Sequence, residues 1–251
     1  MIIDEAVEIV GDRHHVRPLV ITCEHATNRL PAEFTMTEAD RPWMETHWAY
    51  DPGAGELTRQ IVKRKACCAV MSRYSRLICD PNRHIADDDW IREQAEGYAI
   101  SFNQGLPEQE RERRRAVYYE PFHLEIDRCL GERLERGGDV LLLSIHTFTR
   151  NYMGQIRDME MGVLFDRFDP VAARFGQHLR EQGFRTELNE PYSGKEGGIF
   201  CAARHGSRHG VIYLELEVRN DLLATQDAIE DVAERVCRAL TTLQIRGPRA
   251  A

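Results

Sequence analysis

Nowhere in these 251 residues is there an apolar run approaching the ~18 residues that a membrane-spanning helix needs, so the chain is not expected to cross a bilayer. Nor does Met1-Ile2-Ile3-Asp4-Glu5 show the basic segment followed by an apolar stretch that marks a secretory leader. Basic residues are in deficit, with 33 Lys and Arg against 41 Asp and Glu and a net charge of -8. A dedicated binder of nucleic acid or of an anionic membrane draws its affinity from counterions released by excess Lys and Arg, so neither partner is expected. A locally basic pocket for a small anion remains compatible with that balance. The seven cysteines (Cys23, Cys67, Cys68, Cys79, Cys129, Cys201 and Cys237) are odd in number and contain no Cys-x-x-Cys pair. Most fall inside apolar runs, as buried free thiols of a reducing compartment do, and the expected location is cytoplasmic. Internal repeats and low-complexity linkers are also missing, which leaves one domain over residues 1–251 as the expectation.

What is present is an alternation of buried strands and amphipathic helices. Val16 to Cys23 predicts a strand that delivers Glu24-His25 at its end, and 53–65 places Leu57, Ile61 and Val62 on one helical face. Cys67 to Ser72 predicts a second strand, followed by a turn at Pro81-Asn82. Residues 86–104 are polar and predict a long surface excursion. Residues 108–136 predict helix interrupted near Pro121, which cannot sit mid-helix without a kink. Asp139 to Ile145 is the clearest buried strand, five of its seven residues being apolar, and His146 follows it at once. Met161 to Phe165 predicts a strand and 170–182 a helix with Pro170 at its start and Gly183 at its stop. A last strand over 210–218 carries Glu215 and Glu217, and a last helix over 227–243 repeats apolar residues at helical spacing. This order implies an α/β fold with a mostly parallel sheet covered on both faces.

Sites in open α/β sheets form beyond the carboxyl ends of strands. His25, His146 and the pair Glu215/Glu217 stand at three such ends. Two imidazoles and a carboxylate with one open position make a catalytic zinc site. Asp51, just before a predicted helix start, supplies the carboxylate; Glu24 or His47 would serve almost as well on this reading, and Asp51 taken alone reads more readily as a helix N-cap. Glu215 and Glu217 share one strand face by period two, so either could be a catalytic base or a buried partner of Arg219. Arg73, Arg76 and Arg83 cluster near a strand end, where guanidinium forks would hold a substrate carboxylate, unless Asp80 or a surface acid takes them. Arg111 to Arg115, flanked by glutamates, predicts a solvated helix face. Gly194, Gly197 and Gly198 lack phosphate-loop spacing and predict a flexible loop or helix start with no nucleotide. His14, His15, His84, His178, His205 and His209 form no constellation in sequence.

Several segments together resemble the N-formylglutamate amidohydrolase family. They are Cys23-Glu24-His25-Ala26-Thr27, His47-Trp48-x-x-Asp51-x-Gly53-Ala54, and Ser75-Arg76-Leu77-Ile78-Cys79-Asp80-Pro81-Asn82-Arg83. Pro121-Phe122-His123, Ser144-Ile145-His146-Thr147 and Leu214-Glu215-Leu216-Glu217-Val218-Arg219-Asn220-Asp221 continue the match, which spans residues 19–223. The resemblance implies a three-layer α/β/α sandwich around a mixed sheet, similar to zinc-dependent exopeptidases. It implies hydrolysis of an N-acyl amino acid, N-formyl-L-glutamate in the family's name-giving reaction. It also moves Asp51 ahead of Glu24 and His47. Similarity of Ser144-Ile145-His146 to the zinc-binding segment of muramoyl-alanine amidases favours Glu217 over Glu215 as base. The expected site is therefore Zn2+, or another divalent metal, on His25, Asp51 and His146, with Glu217 catalytic. Arg76, Arg83, His123 and Arg219 are the expected substrate contacts. Family members of histidine breakdown tend to read Pro-His-Ser-Gly where this chain reads Glu24-His25-Ala26-Thr27, which widens the expected substrate to related small acidic N-acyl amino acids. The alternatives are a zinc peptidase or muramoyl-amidase-like hydrolase on a larger substrate, and a non-catalytic ligand-binding protein on the same fold.

Overall fold

The computed structural model describes residues 6–243; Met1–Glu5, on which the expectation about a leader falls, and residues 244–251 lie outside the described residues. Seven strands form one mixed sheet. In chain order they are β1 (Val7–Gly11), β2 (Leu19–Cys23), β3 (Cys68–Ser72), β4 (Leu141–Phe148), β5 (Met161–Leu164), β6 (Thr186–Leu188) and β7 (Ile212–Arg219). Their spatial order is β1-β3-β2-β4-β7-β5-β6. The central strands β3, β2, β4 and β7 run parallel, whereas β1 pairs antiparallel with β3 and β5 antiparallel with β7.

The helices of seven or more residues are α1 (Ala54–Lys65), α2 (Glu108–Arg114), α3 (Glu120–Leu134), α4 (Asp169–Glu181), α5 (Phe200–His209) and α6 (Gln226–Thr242). The α/β/α sandwich expected from the sequence is the fold observed. One core packs α1, α4 and α6 against Ile21, Leu143, Ile145, Leu214 and Leu216; the other packs α3 and α5 against Val20, Leu142 and Tyr213. In α6, Ile229, Val232, Ala233, Val236, Cys237 and Leu240 repeat at helical spacing and are buried. Among them Ile229, Val232, Val236 and Leu240 each contribute about 1.5–3 kcal/mol on full burial. Thr225 caps this helix by accepting the Ala228 N–H at 3.2 Å.

Strand alternation decides where the polar groups go. Leu141, Leu143 and Ile145 of β4 enter the first core, so Leu142, Ser144 and His146 turn to the α3/α5 side. The same period sends Glu215 and Glu217 after Tyr213 on β7, and Glu24 after Val20 and Thr22 on β2. Near their carboxyl ends, three parallel neighbours thus change from apolar to ionisable on a single face.

Four sequence expectations are corrected. His146 lies inside β4, which runs on to Phe148 because its strand partner β7 continues to Arg219. Residues 86–104 are not a mere surface excursion: Trp90, Ile91, Ala95 and Ile100 are buried, and Asn103 donates to the carbonyls of Leu77 and Arg92. The run Arg111 to Arg115 is not wholly a solvated face, since Arg114 is 1% exposed and donates to Asn103 and to the carbonyls of Ile78 and Phe102. Elements form at 7–11, 186–188 and 200–209, where apolar periodicity is too short or too broken to announce them. The interruption expected near Pro121 is present as a π-helical turn at Arg115–Tyr119, after which Pro121 sits in the first turn of α3 and needs no N–H partner. Among the described residues, no helix is long and apolar enough to cross a membrane.

Candidate metal centre

Gly53 opens the route by which Asp51 reaches the sheet. It is the N-cap of α1 with φ 84°, and a Cβ there would stand 2.6 Å from the Leu223 Cβ, so the left-handed turn requires glycine. No side chain caps this helix. The Asp51 carboxylate therefore has no capping role and turns inward, while its own N–H donates to the His25 carbonyl at 3.0 Å.

His25, Asp51 and His146 meet there, each buried, with one donor atom from each within 4.8 Å of the others. Both imidazoles present Nδ1 to Asp51 Oδ2, at 3.4 Å from His25 and 2.8 Å from His146. The rings are 4.7 Å apart and edge to face. The opposite nitrogens face carboxylates. His25 Nε2 donates to Asp80 Oδ1 at 2.7 Å, and His146 Nε2 lies 3.1 Å from Glu24 Oε2, off the line of a hydrogen bond. Asp80 is itself held by the Arg76 guanidinium and the Asn82 N–H, and Glu24 by the Ser144 hydroxyl at 2.7 Å. An outer carboxylate behind each inner histidine is the arrangement that orients metal-binding imidazoles.

Electrostatics follow from burying so many acids together. For Asp51 burial opposes ionisation, but the His25 charge and the His146 hydrogen bond win and hold the carboxyl well below its ordinary range. Glu24 is likewise penalised by burial yet drawn down to about 2 by His146 and Ser144. Burial penalises a charged His146 too, but Glu215, Asp51 and Glu24 push it well above an ordinary histidine. For Glu215 and Glu217 the same His146 charge is outweighed by burial. Burial lifts Glu215 to about 7, with the Glu24 and Asp51 charges adding to it, and burial together with Glu215 lifts Glu217 well above an ordinary carboxyl. Glu215 Oε2 and Glu217 Oε2 are buried without a hydrogen-bond partner. Surplus buried negative charge around two imidazoles is a site whose chemistry fits a divalent cation.

The centre forms part of the wall of a cavity of about 220 Å³ that also touches His47, Trp48, Glu215 and Glu217. Arg76, Arg83 and Arg92 line it as well. Arg83 and Arg92 share Asp89, at 3.2 and 2.7 Å, and the Arg92 guanidinium lies over the Trp48 ring at 4.9 Å. Of the residues expected from sequence, the structure brings His25, Asp51, His146, Glu217, Arg76 and Arg83 to this one cavity. It does not bring Arg219, whose guanidinium is taken by Asp221 and the carbonyls of Asp158 and Met159. His123 also lies elsewhere, its Nδ1 2.8 Å from His205 Nε2. Arg92 is missed because it sits in a segment without periodicity. The pairing of Asp80 with Arg76 has a visible trace, their spacing of four residues.

The family model of N-formylglutamate amidohydrolase matches residues 17–224. The gene product Atu2144 from Agrobacterium tumefaciens has a similar crystal structure, with 27% identity, a TM-score of 0.85 and 96% of each chain covered. An N-formylglutamate amidohydrolase from Ralstonia eutropha JMP134 shares the fold at 18% identity and a TM-score of 0.73, over 95% of this chain and 98% of that one. A sequence search of curated proteins gives no match. With a family model covering most of its length, the chain belongs to the N-formylglutamate amidohydrolase family.

Proposed function

We propose that this protein is a metal-dependent amidohydrolase that cleaves the amide bond of a small acidic N-acyl amino acid, N-formyl-L-glutamate or a close relative. The observation that carries the reading is the convergence of His25, Asp51 and His146 with Glu217 and three arginines on one small cavity. His25 Nδ1, His146 Nδ1 and the Asp51 carboxylate would hold Zn2+ or another divalent metal. When bound, such a metal polarises the amide carbonyl and acidifies a water.

The remaining chemistry belongs to side chains. Glu217 takes the proton of the attacking water on its carboxylate and passes it to the leaving amine nitrogen. Burial and the Glu215 charge raise its proton affinity, which makes it a stronger acceptor for that proton. Asp80 and Glu24 fix the rotation of the two imidazoles so that both Nδ1 atoms stay on the Asp51 side. Arg83 and Arg92 divide one counter-charge between them, which leaves guanidinium donors for a substrate carboxylate. Arg76 is more committed, since Asp80 occupies it and Asp51 Oδ1 stands 3.8 Å away, so it serves the centre as well as the substrate. A cavity of about 220 Å³ favours a small molecule over a peptide or a cell-wall strand. The same cavity with its charged floor favours turnover over passive binding.

The test is metal analysis of the purified protein, combined with formate or amine release from a panel of N-acyl amino acids before and after chelation. Stoichiometric metal and chelator-sensitive release from an acidic substrate are expected. Protein without metal whose behaviour Zn2+ leaves unchanged, or release from no member of the panel, would overturn the reading.

A further inference from the structure

Helices α3 and α5 pack against each other beyond Glu24, away from the cavity. Four-residue spacing places His123 and Asp127 on one face of α3, and Cys201, His205 and His209 on one face of α5. His123, Cys201 and His205 are buried, and one ring nitrogen of each histidine lies within 4.8 Å of the other and of the Cys201 Sγ.

The hydrogen bonds fix the tautomers. Asp127 Oδ1 is 2.8 Å from His205 Nδ1 and 2.9 Å from His209 Nε2, and Oδ2 accepts from Arg208 at 2.7 Å. A carboxylate only accepts, so the His205 proton sits on Nδ1 and its Nε2 keeps a lone pair. That lone pair faces His123 Nδ1 at 2.8 Å, which must then donate. The lone pair of the His123 ring is left on Nε2, which is buried and has no partner. Glu24 stands beside the Cys201 thiol, whose S–H is directed at its carboxylate, so a sulfur and a carboxylate oxygen lie together next to the two rings. A hydrogen-bonded cluster built only for packing would not leave the His123 acceptor orphaned.

We propose that His123, Cys201 and His205 form a second metal site, structural and separate from the cavity, for a cation that takes imidazole and thiolate together, such as Zn2+. Asp127 behind His205 plays the orienting role of an outer carboxylate. The fourth position falls to the Glu24 carboxylate oxygen that the thiol proton gives up on binding. Binding exchanges the Cys201 thiol proton for the cation, that proton leaving to solvent, and breaks the hydrogen bond between the rings, the His123 proton passing from Nδ1 to Nε2 so that the two nitrogens that faced each other both ligate. The site would pin α3 to α5 across the face on which His146 and Glu24 lie.

Cobalt separates this site from the catalytic one, because His25, Asp51 and His146 offer no sulfur and only a thiolate ligand gives a sulfur-to-cobalt charge-transfer band in the near ultraviolet. The full chain, stripped with chelator and titrated with Co2+, should bind two equivalents and show that band. His25→Ala/His146→Ala should bind one equivalent and keep the band. Cys201→Ser should bind one and lose it, with far-ultraviolet circular dichroism confirming that it folds. His205→Gln, which can still donate to Asp127, should also lose it and guards against a folding defect special to Cys201→Ser. A single equivalent with no band in the wild-type chain, or a band that survives both substitutions on α5, would overturn the proposal.

Discussion

Glu217→Gln is expected to do two things that rarely go together: abolish turnover and stabilise the metal-free fold. Glu215 and Glu217 each leave one carboxylate oxygen buried without a hydrogen bond, that of Glu215 3.6 Å from His146 Nε2. The Glu215 carboxyl, lifted from 4.5 to about 7, gives the scale, since at ~1.36 kcal/mol per pKa unit it costs the metal-free protein roughly 3 kcal/mol at neutral pH and above. The folded state here binds the proton more tightly than the unfolded chain. The penalty is therefore absent below pH 4.5, grows between 4.5 and about 7, and is full above that. Glutamine keeps the shape and removes the charge. Glu215→Gln should then raise the Tm of chelated protein at pH 7.5 by several degrees, at about 2–4 °C per kcal/mol for a chain of this size. Glu217, shifted in the same direction, should do so too. Activity separates the pair. After reloading with Zn2+, Glu217→Gln should lose ~10²–10⁴ in kcat with metal content unchanged, the usual worth of a positioned general base, and Glu215→Gln far less. Thermal unfolding followed by circular dichroism and an amine-release assay measure both quantities. If Glu215→Gln is the dead variant, the base is misassigned. If either glutamine lowers Tm, the burial argument fails.

Arg92→Ala should raise KM for a dicarboxylic N-acyl substrate by ~10-fold or more while leaving kcat nearly unchanged, as loss of a charge-assisted carboxylate contact does; steady-state kinetics decide it, and a pure kcat effect would refute the substrate role. Arg114→Ala leaves the Ile78 and Phe102 carbonyls and the Asn103 side chain without their buried donor, and should cost about 3 kcal/mol or more in urea unfolding. Glu24 has a carboxyl held down at about 2, so its stabilisation of metal-free protein, on the order of 3 kcal/mol, is present above pH 4.5 and lost as pH falls through 2. Glu24→Gln should accordingly flatten the acid limb of a stability-against-pH curve measured by urea titration, and an unchanged limb would count against the pairing with His146.

The sandwich was readable because its central strands and long helices repeat apolar residues at their own periods, and the same periods brought His146, Glu215 and Glu217 onto one face. What period cannot encode is a pairing across the sheet. Asp51 illustrates this: its position before Pro52-Gly53 reads locally as a helix cap, and only the left-handed Gly53, which takes the cap position itself, turns the carboxylate toward histidines 26 residues before and 95 after it. The two carboxylates behind the histidines escape for a related reason. Asp80 and Glu24 look like a loop acid and a strand-end acid until packing places each against an imidazole nitrogen. Arg219 shows the converse, for its sequence neighbourhood points to the site while the chain's turn at Asn220 commits its guanidinium to Asp221 and to backbone carbonyls on a neighbouring segment. His123 is the most instructive displacement. A histidine in a helix whose neighbour four residues on is Asp127 has a local clue to support from its own helix. Its actual neighbours, Cys201 and His205, come from a helix with no announcing periodicity, so a cluster of imidazole and thiol side chains stays invisible until α5 is seen to form and to lie against α3.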